Sequence, residues 1–177
     1  IDPDIRKAHT LPSAFYTDPE KFEHIMERFS MNWHFAAHES QLSGKSAIEL
    51  RHLESLLGEP MMLVSGDEIR CISNVCTHRG MLLVDGSCSR STLQCPYHGR
   101  TFGLDGSMKS MPEFDLVQDF PTAQDDLRIF PSISWKGLVF TGLEPSGLES
   151  CLKEMEARIG WMPIEKFEYD HSRNRCY

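Results

Sequence analysis

Two short stretches, Cys76-Thr77-His78-Arg79-Gly80 and Cys95-Pro96-Tyr97-His98-Gly99, decide how this chain is read. Each places a histidine shortly after a cysteine and closes on a glycine, and sixteen residues separate His78 from Cys95. Both stretches follow segments with strand character, residues 68–73 and 92–95. Two hairpin tips of this kind can meet around one metal centre. Gly80 and Gly99 let the chain turn tightly beside the donor side chains, and Pro96 stiffens the second loop.

Working outward, short strands recur with turns between them. Residues 61–65 and 68–73 flank Gly66-Asp67, a hairpin signal. Residues 100–104 and 107–109 flank Asp105-Gly106, which predicts a type I′ turn. A weaker hairpin signal, Lys136-Gly137, lies between residues 133–135 and 138–141. The pattern predicts a mainly β fold, a small antiparallel sandwich or barrel with two metal-binding hairpin loops. Helices flank it on both sides. Over residues 17–29, Thr17 and Glu20 form a capping-box pattern, Pro19 sits in the first turn, and Phe22, Ile25, Met26 and Phe29 predict one buried face. Over residues 146–160, Ser146 and Glu149 supply the cap, Leu148, Cys151, Leu152, Met155 and Ile159 one face, and Gly160 and Pro163 the stop. The expected division is a helical arm over 1–32, a metal-binding β domain over 33–143, and a helix with the start of a further domain over 144–177. Residues 169–177 read as a strand that begins and stops, so the chain is expected to be part of a longer polypeptide.

Composition narrows the function classes. The chain has 177 residues, 40% of them hydrophobic, enough for a real core. Lys and Arg number 18 against 26 Asp and Glu, a net charge of −8, which argues against nucleic acid as a partner. No apolar run of about 18 residues occurs, so no helix is expected to span a membrane. The N-terminus, Ile1-Asp2-Pro3-Asp4, lacks the apolar segment of a secretory leader. Six cysteines are too sparse for a secreted disulfide scaffold, and two of them stand next to histidines. That usage predicts metal binding in a reducing, cytoplasmic setting.

The donor set is two thiols and two imidazoles in mixed pairs. A [2Fe–2S] cluster with two Cys on one iron and two His on the other needs this set, and the neutral imidazoles raise its potential above that of an all-cysteine cluster. A structural zinc site of Cys2His2 type is the alternative. Zinc sites pair like ligands at wider spacing, C-x2–4-C and H-x3–5-H, and the mixed pairs here depart from that.

With R-G after the first histidine and C-P-Y-H-G in the second loop, the pattern C-x-H-x16-C-x2-H resembles a Rieske [2Fe–2S] domain. More narrowly, the chain is similar to the N-terminal part of the large subunits of ring-hydroxylating oxygenases. LPSAFYTDPE (11–20), WHFAAHESQL (33–42) and WKGLVFTGLEP (135–145) resemble their N-terminal arm, the entry strand of the Rieske domain and its last hairpin. The resemblance implies Cys76, His78, Cys95 and His98 as cluster ligands, the histidines binding through Nδ1 with Nε2–H facing outward as the electron exit. It implies Arg79, Tyr97 and Arg100 as rim contacts for a partner; oxygenase subunits often have Trp where Arg100 stands. It also implies a low potential. Met81 and Tyr97 replace the two extra cysteines of the respiratory type, and Gly99-Arg100-Thr101-Phe102 lacks the Ser and Tyr hydroxyls of a G-S-x-Y stretch. Fewer hydrogen bonds to sulfur leave the cluster more electron-rich.

In that family a mononuclear non-haem iron, held by two His and a carboxylate, does the chemistry in a separate C-terminal domain. No such set is legible here. His34 and His38 lie on a strand and read as packing residues, and His9, His24, His52 and His171 as surface residues. Cys71 and Cys151 read as core thiols, Asp125-Asp126 as solvated surface, and Met108, Met111, Met155 and Met162 as filler. Cys88, in a Ser-rich loop, and Cys176 have no visible activating base. Two readings of the whole stand side by side. One is the Rieske part of an oxygenase acting on aromatic rings or quaternary amines, fed by a reductase or ferredoxin and assembled as an oligomer. The other is a complete stand-alone Rieske ferredoxin. One-electron transfer is common to both.

Overall fold

Residues 2–173 are described by the computed structural model, His171 without its side chain. A short helix α1 (Ser13–Thr17) leads into α2 (Pro19–Ser30). Strands β1 (His34–His38) and β2 (Ala47–Glu49), helix α3 (Arg51–Leu57), and strands β3 (Met61–Ser65) and β4 (Ile69–Ser73) follow. Next come β5 (Ser87–Cys88), β6 (Thr92–Gln94), β7 (Thr101–Gly103) and β8 (Met108–Ser110). The last strands are β9 (Ile129–Phe130), β10 (Ser132–Trp135) and β11 (Leu138–Thr141), before helix α4 (Leu148–Ile159). The mainly β antiparallel architecture expected from the turn pattern is present.

Strand β3 is the axis of the molecule. Met61, Met62, Leu63 and Val64 are each at most 1% exposed, because β3 is central in a five-stranded sheet of order β5-β2-β3-β4-β9 with both faces covered. The period-2 alternation of a strand divides its side chains. Met61 and Leu63 pack with Ala36, Ala37, Cys71 and Val139 under the three-stranded sheet β1-β11-β10. Met62 and Val64 pack with Ile72, Leu93 and Phe102 under the sheet β6-β7-β8, and the same cluster contains Cys76 and Cys95. Burying each such side chain stabilises the fold by about 1.5–3 kcal/mol. The metal loops therefore grow from the face of the core covered by β6-β7-β8.

Two hairpins exchange the turn types their sequences suggest. Trp135 pairs with Leu138, and Lys136 and Gly137 both have positive φ (48° and 80°), a two-residue type I′ turn at the weaker signal. At Asp105-Gly106 only Gly106 is left-handed (φ 84°). The Gly103 carbonyl accepts from the Gly106 amide, and a register shift follows in β7–β8. The extra loop residue, Leu104, makes this a longer turn with a bulge rather than type I′.

The helices also differ from their sequence reading. Asp18, not Thr17, caps α2 by accepting from the Glu20 amide, while Thr17 ends α1. The α2 face expected to be buried is open: Phe22, Ile25 and Phe29 are exposed and Met26 only half-buried. Helix α4 starts at Gly147 (φ 73°) without a side-chain cap and buries Leu148, while Cys151 is exposed and so is no core thiol. It is fastened to the β domain by Trp135 Nε1–H donating to Glu156 (3.1 Å) and by Lys136 donating to the Gly160 carbonyl (2.7 Å). His38 adds a contact from its Nε2 to the Ile164 carbonyl (3.1 Å), and His34 lies 2.9 Å from the Phe29 carbonyl, so both are packing residues. Of the strand expected over 169–177, residues His171–Arg173 form a 3-10 turn instead. Residues 174–177, Cys176 among them, lie outside the described residues. Helix α3, between β2 and β3, has no counterpart in the sequence reading. No helix among the described residues is long and apolar enough to cross a membrane.

Candidate metal centre

The loops at residues 76–81 and 95–100 are built on one backbone plan. The Gly80 amide donates to the Cys76 carbonyl (3.0 Å), and the Cys76 amide to the Met81 carbonyl (2.8 Å). In the second loop the Gly99 amide donates to the Cys95 carbonyl (3.0 Å), and the Cys95 amide to the Arg100 carbonyl (2.8 Å). Gly80 (φ 70°) and Gly99 (φ 74°) both take the left-handed conformation that closes such a turn. The two cysteines are thus held at equivalent positions, pointing into the core.

Both thiols are buried, Cys76 at 2% and Cys95 at 3% exposure, and they stand close enough to hydrogen-bond each other. Neither is in a disulfide. Desolvation pushes the Cys76 thiol up from its ordinary value, so a thiolate there calls for a cation. The imidazoles lie further out. His78 and His98 are half-buried, with ring centroids 4.8 Å apart at 64°. The His78 imidazole is held below its ordinary pKa, first by desolvation and then by the charges of His98, Arg100 and Arg79. His98 carries the decisive detail: its Nδ1 is buried and has no hydrogen-bond partner. A buried ring nitrogen without a partner is costly unless a ligand takes its lone pair.

These donors divide into a thiol pair inside and an imidazole pair outside. Among the described residues no three His, Cys, Asp or Glu side chains converge as they would on a single ion. A mononuclear zinc site needs four such donors around one point, whereas a two-iron cluster takes them as two pairs. The residues present therefore fit a di-iron group.

A scan of family models matches residues 32–121 to the Rieske [2Fe–2S] domain. The chain belongs to the Rieske family. Its cofactor is accordingly a Rieske-type [2Fe–2S] cluster. A carnitine monooxygenase oxygenase subunit from Escherichia coli (strain K12) is 32% identical over 160 residues, covering 87% of this chain and 42% of that protein. The chloroplastic choline monooxygenase of Beta vulgaris is 33% identical over 152 residues, covering 82% of this chain and 33% of its own length. A solved quaternary ammonium Rieske monooxygenase, described for carnitine oxidation and inter-subunit electron transfer, superposes with a TM-score of 0.73 at 31% identity, over 85% of this chain and 42% of that one. The Rieske chain described here spans less than half the length of these relatives.

Around the Rieske loops, the residues expected at the rim lie at different depths. Arg79 and Tyr97 are exposed, and the Tyr97 ring stacks on His98 at 3.7 Å. Arg100, expected at the rim, is instead 5% exposed. Its Nη1 donates to Thr77 Oγ1 (2.8 Å), its Nη2 lies 3.4 Å from Asp125, and its guanidinium stacks over Phe120. An arginine that reaches inward across the gap between two loops leaves nothing for a partner to touch. Asp125 and Asp126 are not idle surface either: Asp125 pairs with Arg100, and Asp126 accepts from the Met108 amide (2.7 Å). The Thr122 amide, with Arg100 adding to it, holds the Asp125 carboxyl below the usual carboxylate range. Asn74 was missed altogether. It is fully buried, exchanges hydrogen bonds with Val84 (2.8 and 2.9 Å), and so closes the base of the first loop. The polar pair Ser73-Asn74 between Ile72 and Val75 was the available signal.

Proposed function

We propose that Cys76, His78, Cys95 and His98 hold the cluster, and that the chain is the electron-transfer portion of an oxygenase subunit acting on a quaternary ammonium compound. The observation that carries the ligand set is the buried, partnerless Nδ1 of His98 beside two adjacent buried thiols. The [2Fe–2S] group supplies reversible one-electron redox chemistry when bound. The chain's own residues do the rest. Cys76 and Cys95 anchor the group in the core and keep water from it, while the half-buried His78 and His98 form the shortest covalent route to the surface. Tyr97 and Arg79 border that route where a reductase or ferredoxin docks.

The substrate class rests on the relatives that oxidise carnitine and choline. A mononuclear non-haem iron receives the electron in a catalytic domain, of this polypeptide or of a neighbouring subunit in an oligomer. The open apolar face of α2, with Phe22 at 63% and Phe29 at 44% exposure, supports assembly with further protein. The division into an arm over 1–32, a Rieske domain over 33–143 and a leading segment of the next domain over 144–177 follows from the same reading.

Anaerobic reconstitution followed by iron and acid-labile sulfide analysis tests the ligand set. Equal amounts of iron and sulfide are expected, lost together in the His98→Ala variant; zinc without sulfide overturns the reading. For the whole oxygenase, oxygen consumption driven by carnitine or choline in the presence of a reductase is expected. Consumption driven by aromatic rings alone overturns the substrate class.

A further inference from the structure

Arg100 is a buried charge whose partners are incomplete. Its side chain is 6% exposed, and its Nε has no hydrogen-bond partner. Its counter-ion, Asp125, lies 3.4 Å away with 21% of its own side chain open to solvent. A guanidinium stays protonated under all ordinary conditions, so an incompletely paired charge is locked inside. Such a charge is costly unless something else compensates it.

The residue is tied to both metal loops at once. Its carbonyl accepts from the Cys95 amide (2.8 Å). Its Nη1 donates to the hydroxyl of Thr77, which stands between Cys76 and His78 in the chain. Thr77 in turn donates to the Asp125 carbonyl (2.7 Å). One side chain therefore spans from the second loop, across the first, to the segment before β9.

We propose that Arg100 is a positioning residue that sets the reduction potential, a fixed buried cation that braces the two ligand loops and stabilises the reduced cluster. The inference rests on the ligand set proposed above. Two ferric ions, two sulfides and two thiolates cancel in charge, and the histidines are neutral. The electron delivered by the donor protein leaves the group with one net negative charge. A cation buried beside it, where screening is weak, favours that state over the neutral one. The reduced cluster is thus the missing partner of Arg100.

The test uses the reconstituted holoprotein, a redox titration followed by visible circular dichroism, and iron and sulfide analysis of every sample. Arg100→Gln is expected to retain iron and sulfide and to lower the ratio of reduced to oxidised protein at a fixed potential about tenfold, equivalent to roughly 59 mV for a one-electron couple. The difference is expected to persist in ~1 M salt, where the Debye length of about 3 Å would abolish the effect of an exposed charge. Asp125→Asn, which removes the counter-charge, is expected to move the ratio the opposite way. Arg100→Lys keeps the charge and loses the fork, so the potential stays near wild type while thermal stability falls. A fully loaded Arg100→Gln protein with an unchanged potential overturns the inference. If Arg100→Gln fails to assemble, Asp125→Asn decides: an upward shift supports the inference, and an unchanged or lowered potential overturns it. Wild-type protein that takes up no iron and sulfide would overturn the ligand set itself, a failure distinguishable from either.

Discussion

In the loop at 76–81 and the loop at 95–100 the same pair of backbone hydrogen bonds frames each cysteine, yet the surroundings are unalike. Gly80 faces open space, with no atom within 4 Å of where a Cβ would stand. At Gly99 the same Cβ would lie 2.9 Å from Pro112 Cγ. The first loop's Met81 and Leu82 are exposed, whereas the second loop runs directly into buried Arg100 and Phe102. The first loop is a finger supported at its base, by Asn74; the second is exposed at Pro96 and Tyr97 but packed where it closes, at Gly99 and Arg100. Equivalent chemistry at the tip therefore rests on unequal scaffolding, and substitutions should separate the two contributions.

The largest expected effect falls on both loops alike. Cys76→Ser and Cys95→Ser should each reduce iron and acid-labile sulfide to background, because a serine hydroxyl does not replace a thiolate ligand on iron. Should one variant keep its full complement, the two cysteines are not equivalent and the ligand set is wrong. Next in size is the glycine pair. Gly99→Ala combines the left-handed penalty of about 1–2 kcal/mol with the displacement of Pro112, typically a further 1–3 kcal/mol or so. Gly80→Ala should cost the first amount alone. Denaturant titration of the holoproteins measures both, and equal losses would erase the distinction between packed and open loops.

The candidate donors at the tip of each loop stand out in the sequence, and the residues that support them do not, for a physical reason. Ligation depends on a few residue types at short spacing, so Cys76, His78, Cys95 and His98 stand out along the chain. Support depends on residues far apart in sequence. Arg100 meets Thr77 and Asp125, 23 and 25 positions away in the numbering, and nothing local marks the meeting. Strands β3 and β4 were readable because alternation and turn residues are local. Strands β2, β5 and β9, two or three residues long, carry too little pattern and exist because a neighbour offers an edge to pair with: β3 for β2, β2 in turn for β5, and β4 for β9. The exposed face of α2 shows the converse: a helical apolar stripe predicts burial without saying against what.

Thr77 joins the two supports, so Thr77→Val should couple them. The substitution keeps the shape, removes an acceptor from Arg100 and a donor to the Asp125 carbonyl, and leaves a buried guanidinium with fewer partners. A loss of about 1–3 kcal/mol is expected, together with faster loss of iron from the protein during dilution into chelator. A neutral result would mean that the first loop stands on Asn74 alone.

The smallest effects belong to the rim, where the loops differ again. Tyr97 on the second loop is 57% exposed while stacked on His98, and Arg79 on the first is an exposed cation. Removing an exposed side chain from either loop changes stability by no more than about 0.5–1.5 kcal/mol, and iron and sulfide content should stay at wild-type level. Their signatures should diverge in the rate of reduction by the donor protein. Arg79→Ala should slow reduction at low ionic strength and become indistinguishable from wild type as salt screens the charge. Tyr97→Ala should slow it to the same extent at every salt concentration, because the lost contact is a ring face rather than a charge. If the salt dependence follows Tyr97 instead, the donor reads the second loop electrostatically, and the division between an apolar and a charged half of the rim does not hold.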